Sequence, residues 1–243
     1  MNPKVTIIIP CYNAEKWVRQ CVVSALQQDY EFIEVIAVDN ESTDNTNEIL
    51  KEIKEAHPQL MTGTAPNIYR HSWEEARDVG LKMCSGDYIT FICSDDYLET
   101  SYITTCMKFI MSAPKSILAL QSPIRNIRNG VAAEEQAHFY GSIEEFKKIA
   151  LTKSPVNTPT VIYNREIYDQ GFLETYPEKY YGAADYDLYC RLAHKNIMIY
   201  PAPTWTGYNY RWHPEQCTWG MHREPVNYDK LIQEYWRERW KQD

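Results

Sequence analysis

The chain has 243 residues, of which 44% are hydrophobic, and this is enough for one large α/β domain or two small ones with a substantial core. Its 25 basic and 33 acidic side chains give a formal net charge of −8, which argues against a protein that binds the phosphate backbone of nucleic acids. No apolar run approaches the roughly 18–20 residues of a membrane span, and the first residues do not resemble a signal peptide. We therefore expect a folded, cytoplasmic protein with no nucleic-acid partner.

Strand and helix patterns alternate over the first hundred residues. Residues 5–10 form a short apolar, β-branched run, which is typical of a strand buried on both faces of a parallel sheet. The apolar residues of segment 14–26 recur on one helical face, and Asn13 is expected to cap that helix. Segment 32–38 predicts the next buried strand, and a polar turn then leads to a second helix that ends before Pro58.

The same alternation continues to residue 93. A weak strand is predicted at 67–70, Ser72 and Glu75 have capping-box spacing before a helix, and Gly86 suits its C-terminal cap. Segment 88–93 predicts a further buried strand. This order predicts an α/β fold with a mostly parallel, doubly wound sheet, whose ligands bind outside the carboxyl ends of the strands.

The second half is less regular, and it contains no repeat or linker that demands two separate domains. Segment 125–140 has no clear period and is expected to be a surface excursion. Ser142 and Glu145 again have capping-box spacing, and further helices are predicted from Asp185 and over 227–240. Short β-like runs lie at 116–121, 160–163 and 197–200, and an aromatic loop spans 201–219.

Two adjacent carboxylates follow the strand at 88–93. Asp95 and Asp96 have little hydrophobic cover in the sequence, and two such charges need a cation to offset their repulsion, so a divalent metal is the natural candidate. Adjacent acids in a turn are also commonly solvated loop residues, or the cap of a following helix, here over 98–111. The position after a buried strand favours the metal.

A third carboxylate, Asp39, ends the strand at 32–38. In nucleotide-binding folds, acids at such strand ends accept hydrogen bonds from the base or the ribose. A turn-forming role for Asp39 is equally compatible with the sequence.

Asp185 opens a predicted helix. Helix N-terminal amides favour the charged form of an acid, and an ionised carboxylate beside a sugar hydroxyl is suited to general-base catalysis. The alternative for Asp185 is a simple N-cap, and for Asp187 an acidic residue of the first turn.

The aromatic loop contains the segment Tyr-Arg-Trp-His that ends at His213. An imidazole can ligate a metal and a guanidinium can meet a phosphate. Trp205 and Tyr210 can stack on sugar rings, although burial in the core is the more usual role of such residues. The seven cysteines are scattered and never spaced Cys-x-x-Cys, so the sequence suggests neither a disulfide framework nor a zinc site.

Four segments occur in an order that resembles the family 2 glycosyltransferases. They read VTIIIPCYN at 5–13, VDNESTDNT at 38–46, GDYITFICSDDYL at 86–98 and ADYDLYCRL at 184–192. The resemblance extends from about Pro3 to His213. It implies a GT-A fold, a nucleotide-diphosphate sugar donor, a Mn²⁺ or Mg²⁺ ion, and inversion at the anomeric carbon.

The resemblance also implies roles for individual residues. Asp185 matches the acid that acts as general base, Asp95 matches the metal-binding acid, and His213 matches a histidine that approaches the metal or diphosphate in some members. The implied nucleotide-binding residues are Pro10, Tyr12, Asp39, Arg77, Ser94 and Asp95. Contacts to the acceptor are expected from Asp187, Trp205 and Tyr210.

Three positions depart from the family pattern. Cys93 stands where the family usually has Asp, and a thiol is a poor ligand for Mg²⁺ or Mn²⁺. Asn40 and Glu41 replace the more usual Asp-Gly, and Ala184 replaces a common Glu. The last change leaves Asp185 with one fewer neighbouring acid to raise its pKa.

These features predict a single GT-A domain with a donor half at 1–97, an acceptor half at 98–223 and a C-terminal amphipathic helix at 224–243. The predicted function is transfer of a sugar, from a UDP-sugar, to a hydroxyl of a glycan or lipid-linked acceptor in surface polysaccharide synthesis. The alternatives are a degenerate nucleotide-sugar or glycan-binding protein and a sugar-phosphate nucleotidyltransferase. The C-terminal helix suggests docking on the inner face of the membrane, with packing on its own domain as the alternative.

Overall fold

A seven-stranded sheet forms the centre of the computed structural model, which describes residues 2–69, 72–113, 115–221 and 223–241. Its strands are β1 (Val5–Cys11), β2 (Ile33–Asp39), β3 (Met61–Thr64), β4 (Tyr88–Phe91), β6 (Ala119–Gln121), β9 (Ile162–Asn164) and β10 (Ile199–Pro201). Their order is β10-β6-β9-β4-β1-β2-β3, and only β9 runs antiparallel to its neighbours within this described sheet. The prediction of a mostly parallel central sheet is therefore confirmed.

A smaller sheet lies beside the carboxyl edge of the first. It contains β5 (Tyr97–Leu98), β7 (Ile124–Arg128), β8 (Val131–Gln136) and β11 (Tyr208–Trp212), in the order β5-β11-β7-β8. The predicted surface excursion at 125–140 is indeed exposed over most of its length, but β7 and β8 give it a regular hairpin structure that was not predicted. All six residues of β8 are exposed, so the segment lacks the alternation by which a half-buried strand is recognised.

Helices cover both faces of the large sheet. They are α1 (Val18–Leu26), α2 (Thr46–Ala56), α3 (Glu74–Met83), α4 (Tyr102–Ser112), α5 (Ile143–Ala150), α6 (Arg165–Asp169), α7 (Pro177–Tyr180), α8 (Ala184–His194), α9 (Cys217–Met221) and α10 (Tyr228–Arg239). Alternate residues of β1 explain the two faces, because Ile8 joins one buried cluster while Ile7 and Ile9 join the other. The β-branched run at the start of the chain is thus buried on both sides, as expected.

Three local predictions need correction. α1 begins at Val18, and Asn13 does not cap it; the Asn13 side chain instead accepts the N–H of Thr43 at 2.8 Å, with a left-handed φ of 46°. The third strand is β3, whereas the described part of 67–70 is coil and Arg70 lies outside the described residues. Gly86 lies beyond the end of α3, where a Cβ atom would be 2.6 Å from Thr6 Oγ1.

The capping prediction for Ser142 and the predicted helix that starts near Asn227 are both confirmed. Ser142 Oγ accepts the N–H of Glu145 at 3.1 Å, and Glu145 Oε2 accepts the N–H of Gly141 at 2.6 Å. Asn227 caps α10 in a similar way by accepting the N–H of Lys230 at 3.0 Å.

The C-terminal helix α10 packs on α8. Ile232 and Trp236 are buried in that contact, while Leu231 and Tyr235 are exposed. Within the described residues, no helix is both long and apolar enough to cross a bilayer. The burial of Ile232 and Trp236 agrees with the packing alternative for that part of α10.

Candidate active site

A short turn after β4 carries the cluster of potential metal ligands. Ile92 still pairs with β1, donating its N–H to Ile8 O at 3.0 Å, and the turn then closes with the N–H of Asp96 donating to Cys93 O at 3.0 Å. Because β4 ends at the carboxyl edge of a parallel sheet, the turn lies where ligands bind in such folds. Ser94 and Asp95 are the half-buried tip of this turn.

Asp96 anchors the turn to β11. Its side chain is fully buried and accepts hydrogen bonds from the Tyr208 hydroxyl at 2.7 Å and from the N–H of Arg211 at 2.8 Å. Burial, and then the charge of Asp95, raise the pKa of the Asp96 carboxyl well above its usual value. Asp96 is therefore a structural acid that joins two sheets.

Of the two acids, Asp95 is the one whose side chain is accessible to a ligand. Its Oδ2 lies 2.9 Å from Nε2 of His213, which directly follows β11, and its backbone carbonyl accepts a hydrogen bond from the Arg211 guanidinium. The imidazole lies on Trp17, with ring centroids 3.9 Å apart. The structure thus joins two of the predicted metal ligands across 118 residues of chain.

Cys93 completes the cluster. One ligand atom each from Cys93, Asp95 and Asp96 lies within 4.8 Å of the others. The N–H of Cys93 donates to the Tyr208 oxygen at 3.3 Å, so the turn is held from both ends by the same tyrosine. Tyr210, predicted to contact an acceptor, packs behind this cluster: burial and the nearby Asp96 raise the pKa of its hydroxyl.

Asp39 lies on the same edge, at the end of β2. Its Oδ2 accepts the N–H of Ser42 at 3.4 Å and the Nδ2–H of Asn47 at 3.3 Å. Its Oδ1 is buried and has no hydrogen-bond partner among the described residues. Tyr12, just after β1, is 49% exposed, whereas Pro10 is buried inside the strand opposite Val38.

A second candidate group, Asp185, lies in the first turn of α8. Its Oδ2 accepts the hydroxyl hydrogen of Thr158 at 2.7 Å. Burial is the main cause that raises its pKa to about 7; the charge of Glu74 adds to the effect and the Thr158 hydrogen bond opposes it. A carboxyl group that titrates near neutral pH is suited to accept a proton.

The short helix α9 lies near both Asp95 and Asp185. Burial together with the charges of Asp95 and Asp185 raises the pKa of the Cys217 thiol to about 12. Cys217 is therefore within electrostatic range of both acids. Helix α9 also contacts residues 181–183, directly before α8. The candidate metal cluster and Asp185 therefore lie near the same short helix, although they come from opposite halves of the chain.

Arg77 is not available to a nucleotide. It is 2% exposed, and its guanidinium donates to Glu74 Oε2 at 2.7 Å, to Thr175 Oγ1 at 2.9 Å and to the carbonyl of Leu173. It therefore ties α3 to the segment before α7. The expected nucleotide contact is replaced by a buried structural ion pair.

Two residues expected at the acceptor also have other partners. Asp187 is buried, and its two oxygens accept from Arg191 Nε and Trp236 Nε1, each at 2.9 Å. Trp205 stacks under Arg125, with the guanidinium 3.4 Å from the ring centroid, and belongs to the far end of the smaller sheet. The carboxylate of Asp187 thus holds α8 against α10.

Tyr181 is a feature that the sequence reasoning missed. It lies four residues before Asp185, is 38% exposed, and has φ 47° and ψ −131°, a backbone region that strongly favours glycine. Its ring packs between Tyr69, at 6.4 Å, and Tyr228, at 5.2 Å. Nothing in the motif Tyr-Tyr-Gly signals this strain, because the strained residue precedes the glycine.

With this geometry in place, comparison with known proteins is informative. The family model for glycosyl transferase family 2 matches residues 6–172, which is more than half of the chain. The chain belongs to glycosyl transferase family 2. The match begins in β1 and includes the turn of Asp95, which agrees with the family resemblance of these motifs.

A curated relative of this family 2 chain extends the likeness. Chondroitin synthase from Pasteurella multocida is 26% identical over 191 residues, which is 79% of this chain but 19% of the synthase. The chain spans less than half the length of the curated relatives it matches.

Two solved structures share the fold. Staphylococcus aureus TarS in complex with UDP-GlcNAc superposes with a TM-score of 0.72 at 22% identity, covering 92% of this chain and 62% of TarS. A mannosyltransferase from Pyrobaculum calidifontis, in complex with GDP-Man and Mn²⁺, gives a TM-score of 0.63 at 16% identity, covering 96% and 69%. The GT-A fold expected from the sequence is confirmed.

Replacing Arg77 tests its structural role. We expect Arg77→Met to lower the free energy of unfolding by about 3–5 kcal/mol, because Glu74 keeps a buried charge without its partner. Urea unfolding measures this loss, and the double variant Glu74→Gln/Arg77→Met should recover part of it. Nucleotide affinity, measured by calorimetry well below the melting temperature, should stay within twofold; a large loss of affinity would restore the nucleotide role.

Replacing Tyr181 tests the backbone strain. Tyr181→Gly and Tyr181→Ala both lose the ring, but only glycine relieves φ 47°, so we expect the glycine variant to be more stable by about 1 kcal/mol. The matched pair Glu178→Gly and Glu178→Ala, at an exposed helical position, should show the opposite order. Thermal unfolding of all four variants is the measurement, and the same order at both positions would contradict the strain.

Proposed function

We propose that this chain transfers a sugar, with inversion, from a UDP-sugar to a hydroxyl of a glycan or lipid-linked acceptor, with Asp185 as the general base. The observation that carries this proposal is that Asp185 and the Asp95–His213 pair lie within electrostatic range of the same Cys217 thiol. A base and a site for a leaving diphosphate in one cleft are the two requirements of in-line displacement. Family membership supports the same class of reaction.

The donor side is supported by groups at the carboxyl edge of the sheet. The exposed ring of Tyr12 offers a face for a nucleobase, and Ser94 lies in the turn beside Asp95. Among the described residues, the buried Oδ1 atom of Asp39 has no hydrogen-bond partner, which is energetically costly. An N–H donor from the base would supply that hydrogen bond. The UDP-GlcNAc complex of TarS, which has the same fold, supports a UDP-sugar as the donor class.

The donor set fits a divalent cation. Asp95 and His213 offer a carboxylate oxygen and an imidazole nitrogen 2.9 Å apart, and both side chains are partly open to solvent. These two residues would hold a divalent ion, and the fold relative with GDP-Man is in complex with Mn²⁺. The ion, when bound, supplies positive charge to the departing diphosphate.

The acceptor side carries the proton transfer. The Asp185 carboxylate accepts the proton of the acceptor hydroxyl as that oxygen attacks C1 of the donor sugar from the face opposite the diphosphate, so the configuration inverts. Thr158 orients the carboxylate by donating its hydroxyl hydrogen to Oδ2. The exposed Tyr181, four residues earlier, offers an aromatic face beside the base. The similarity to chondroitin synthase supports a saccharide as the acceptor class.

The donor assignment can be tested by calorimetric titration with UDP-GlcNAc and GDP-mannose, each with Mn²⁺ and with EDTA. We expect metal-dependent binding of the UDP-sugar, and a loss of about 10- to 100-fold in affinity in Asp39→Asn, because a buried acceptor of the base N–H is replaced. Glu48→Gln, an exposed change on α2, is the matched control. Binding of neither sugar nucleotide would contradict the proposal.

The role of Asp185 can be tested through UDP release. We expect Asp185→Asn to reduce turnover by about 10²–10⁴-fold while UDP affinity stays unchanged, because the amide cannot accept the proton. The wild-type rate should fall as the pH drops through about 7, where the carboxylate becomes protonated. Sugar-nucleotide binding with full turnover in the variant would exclude Asp185 as the base, and binding without any wild-type turnover would favour the degenerate binding protein.

Stability should change in the opposite direction. The folded state raises the Asp185 pKa to about 7, so the stabilising contribution of its protonated form is complete below about pH 4 and is lost as the pH rises to 7. Asp185→Asn should therefore be more stable than the wild type at pH 8, by roughly 2 kcal/mol, and nearly equal at pH 4. Thermal unfolding at the two pH values provides the comparison.

A further inference from the structure

The cluster at the end of β4 contains a sulfur ligand that does not suit a magnesium site. Cys93 Sγ, one oxygen of Asp95 and one oxygen of Asp96 all lie within 4.8 Å of one another, and His213 Nε2 is 2.9 Å from Asp95 Oδ2. Magnesium requires oxygen ligands in octahedral geometry, whereas thiolate and imidazole select softer divalent ions such as Zn²⁺. The chemistry of the side chains therefore differs from an all-oxygen site.

The distances suit a small ion. A zinc ion binds sulfur at about 2.3 Å and oxygen at about 2.0–2.2 Å, so two such donors on one ion lie at most about 4.5 Å apart. The sulfur of Cys93 and a carboxylate oxygen of Asp95 are at most 4.8 Å apart, which is close to this limit. An ion on Oδ2 of Asp95 is also in reach of the imidazole.

The turn is built to hold this arrangement. Asp96 has both oxygens occupied by Tyr208 and by the backbone of Arg211, and the Tyr208 oxygen in turn receives the N–H of Cys93. Asp96 therefore fixes the turn in place, and the side chains of Cys93 and Asp95 are the ones left to bind an ion. Both are half-buried and reached from the cleft, so an ion has an entry path.

We propose that Cys93, Asp95 and His213 bind one thiophilic divalent ion of the zinc class, in preference to Mg²⁺, with a remaining coordination position open to the cleft. On binding, the Cys93 thiol loses its proton to solvent and the sulfur becomes a thiolate ligand. The selectivity comes from one residue, Cys93, which stands where the family usually has an oxygen ligand. This inference rests on the proposed function only for the use of the ion at the diphosphate.

The first experiment titrates the reduced, metal-free protein with Cd²⁺, a spectroscopic probe for thiolate ligands. It uses Cys217→Ser as the parent, because Cys217 is a second thiol near Asp95 that would also bind Cd²⁺. We expect a sulfur-to-metal charge-transfer band in the ultraviolet that saturates at one ion per chain and is displaced by Zn²⁺ but not by Mg²⁺. Adding Cys93→Ser should remove the band and weaken Zn²⁺ binding by roughly 100-fold or more, since loss even of an outer-shell group costs about 10- to 100-fold.

A second variant separates selectivity from folding. Cys93→Asp restores an oxygen ligand and should shift the preference by at least tenfold toward Mn²⁺ and Mg²⁺ in calorimetry, with the fold checked by circular dichroism. A band that persists in the Cys93→Ser protein, or one absent from the parent, overturns the proposal. Failure of UDP-sugar binding with the band intact would reject only the proposed function, and UDP-sugar binding with Mg²⁺ but no band would reject only this inference.

Discussion

The buried carboxylate of Asp96 is the constraint on which the site depends. It accepts one hydrogen bond from Tyr208 and one from the backbone of Arg211, so it joins the turn after β4 to the strand β11 of the smaller sheet. An acid in such surroundings is costly unless every oxygen is satisfied, and here both are. Loss of this link would loosen the turn of Cys93 and Asp95 from His213, which lies more than a hundred residues further along the chain.

The acids Asp96 and Asp185 are stabilised in different ways. Burial raises the pKa of both carboxyls, but both oxygens of Asp96 are paired with groups of the smaller sheet. Asp185 accepts the hydroxyl hydrogen of Thr158, and its pKa of about 7 leaves it able to gain or lose a proton near neutral pH. A further destabilising feature lies four residues earlier, where Tyr181 adopts a backbone conformation that favours glycine. Destabilising features concentrated beside one ionisable group are typical of a site selected for chemistry and not for stability.

Much of the architecture was predictable because its signals are local. β1 and β2 are continuous apolar runs, since they are buried on both faces, and the caps at Ser142 and Asn227 depend on residues three apart. β11 was missed inside an aromatic loop, because its partners β5 and β7 are far away in the chain and its buried face includes the polar Asn209. Asp95 and His213 were predicted as metal ligands only through the family resemblance, because their contact joins residues that are 118 positions apart in the chain. Arg77 shows the reverse error: its motif suggested a nucleotide contact, but burial beside Glu74 gives it a structural role.

The exposed hairpin strand β8 has a consequence for how copies of this molecule meet. It is the edge of the smaller sheet, and an edge strand presents unpaired backbone groups to which a second chain can add. Glu134 and Glu135 lie at the middle of this edge, where they form ion pairs with Arg128 and Arg125 of the neighbouring strand. A second edge that paired with β8 would crowd and partly desolvate these ion pairs. Charged side chains of this kind on an edge strand oppose edge-to-edge aggregation.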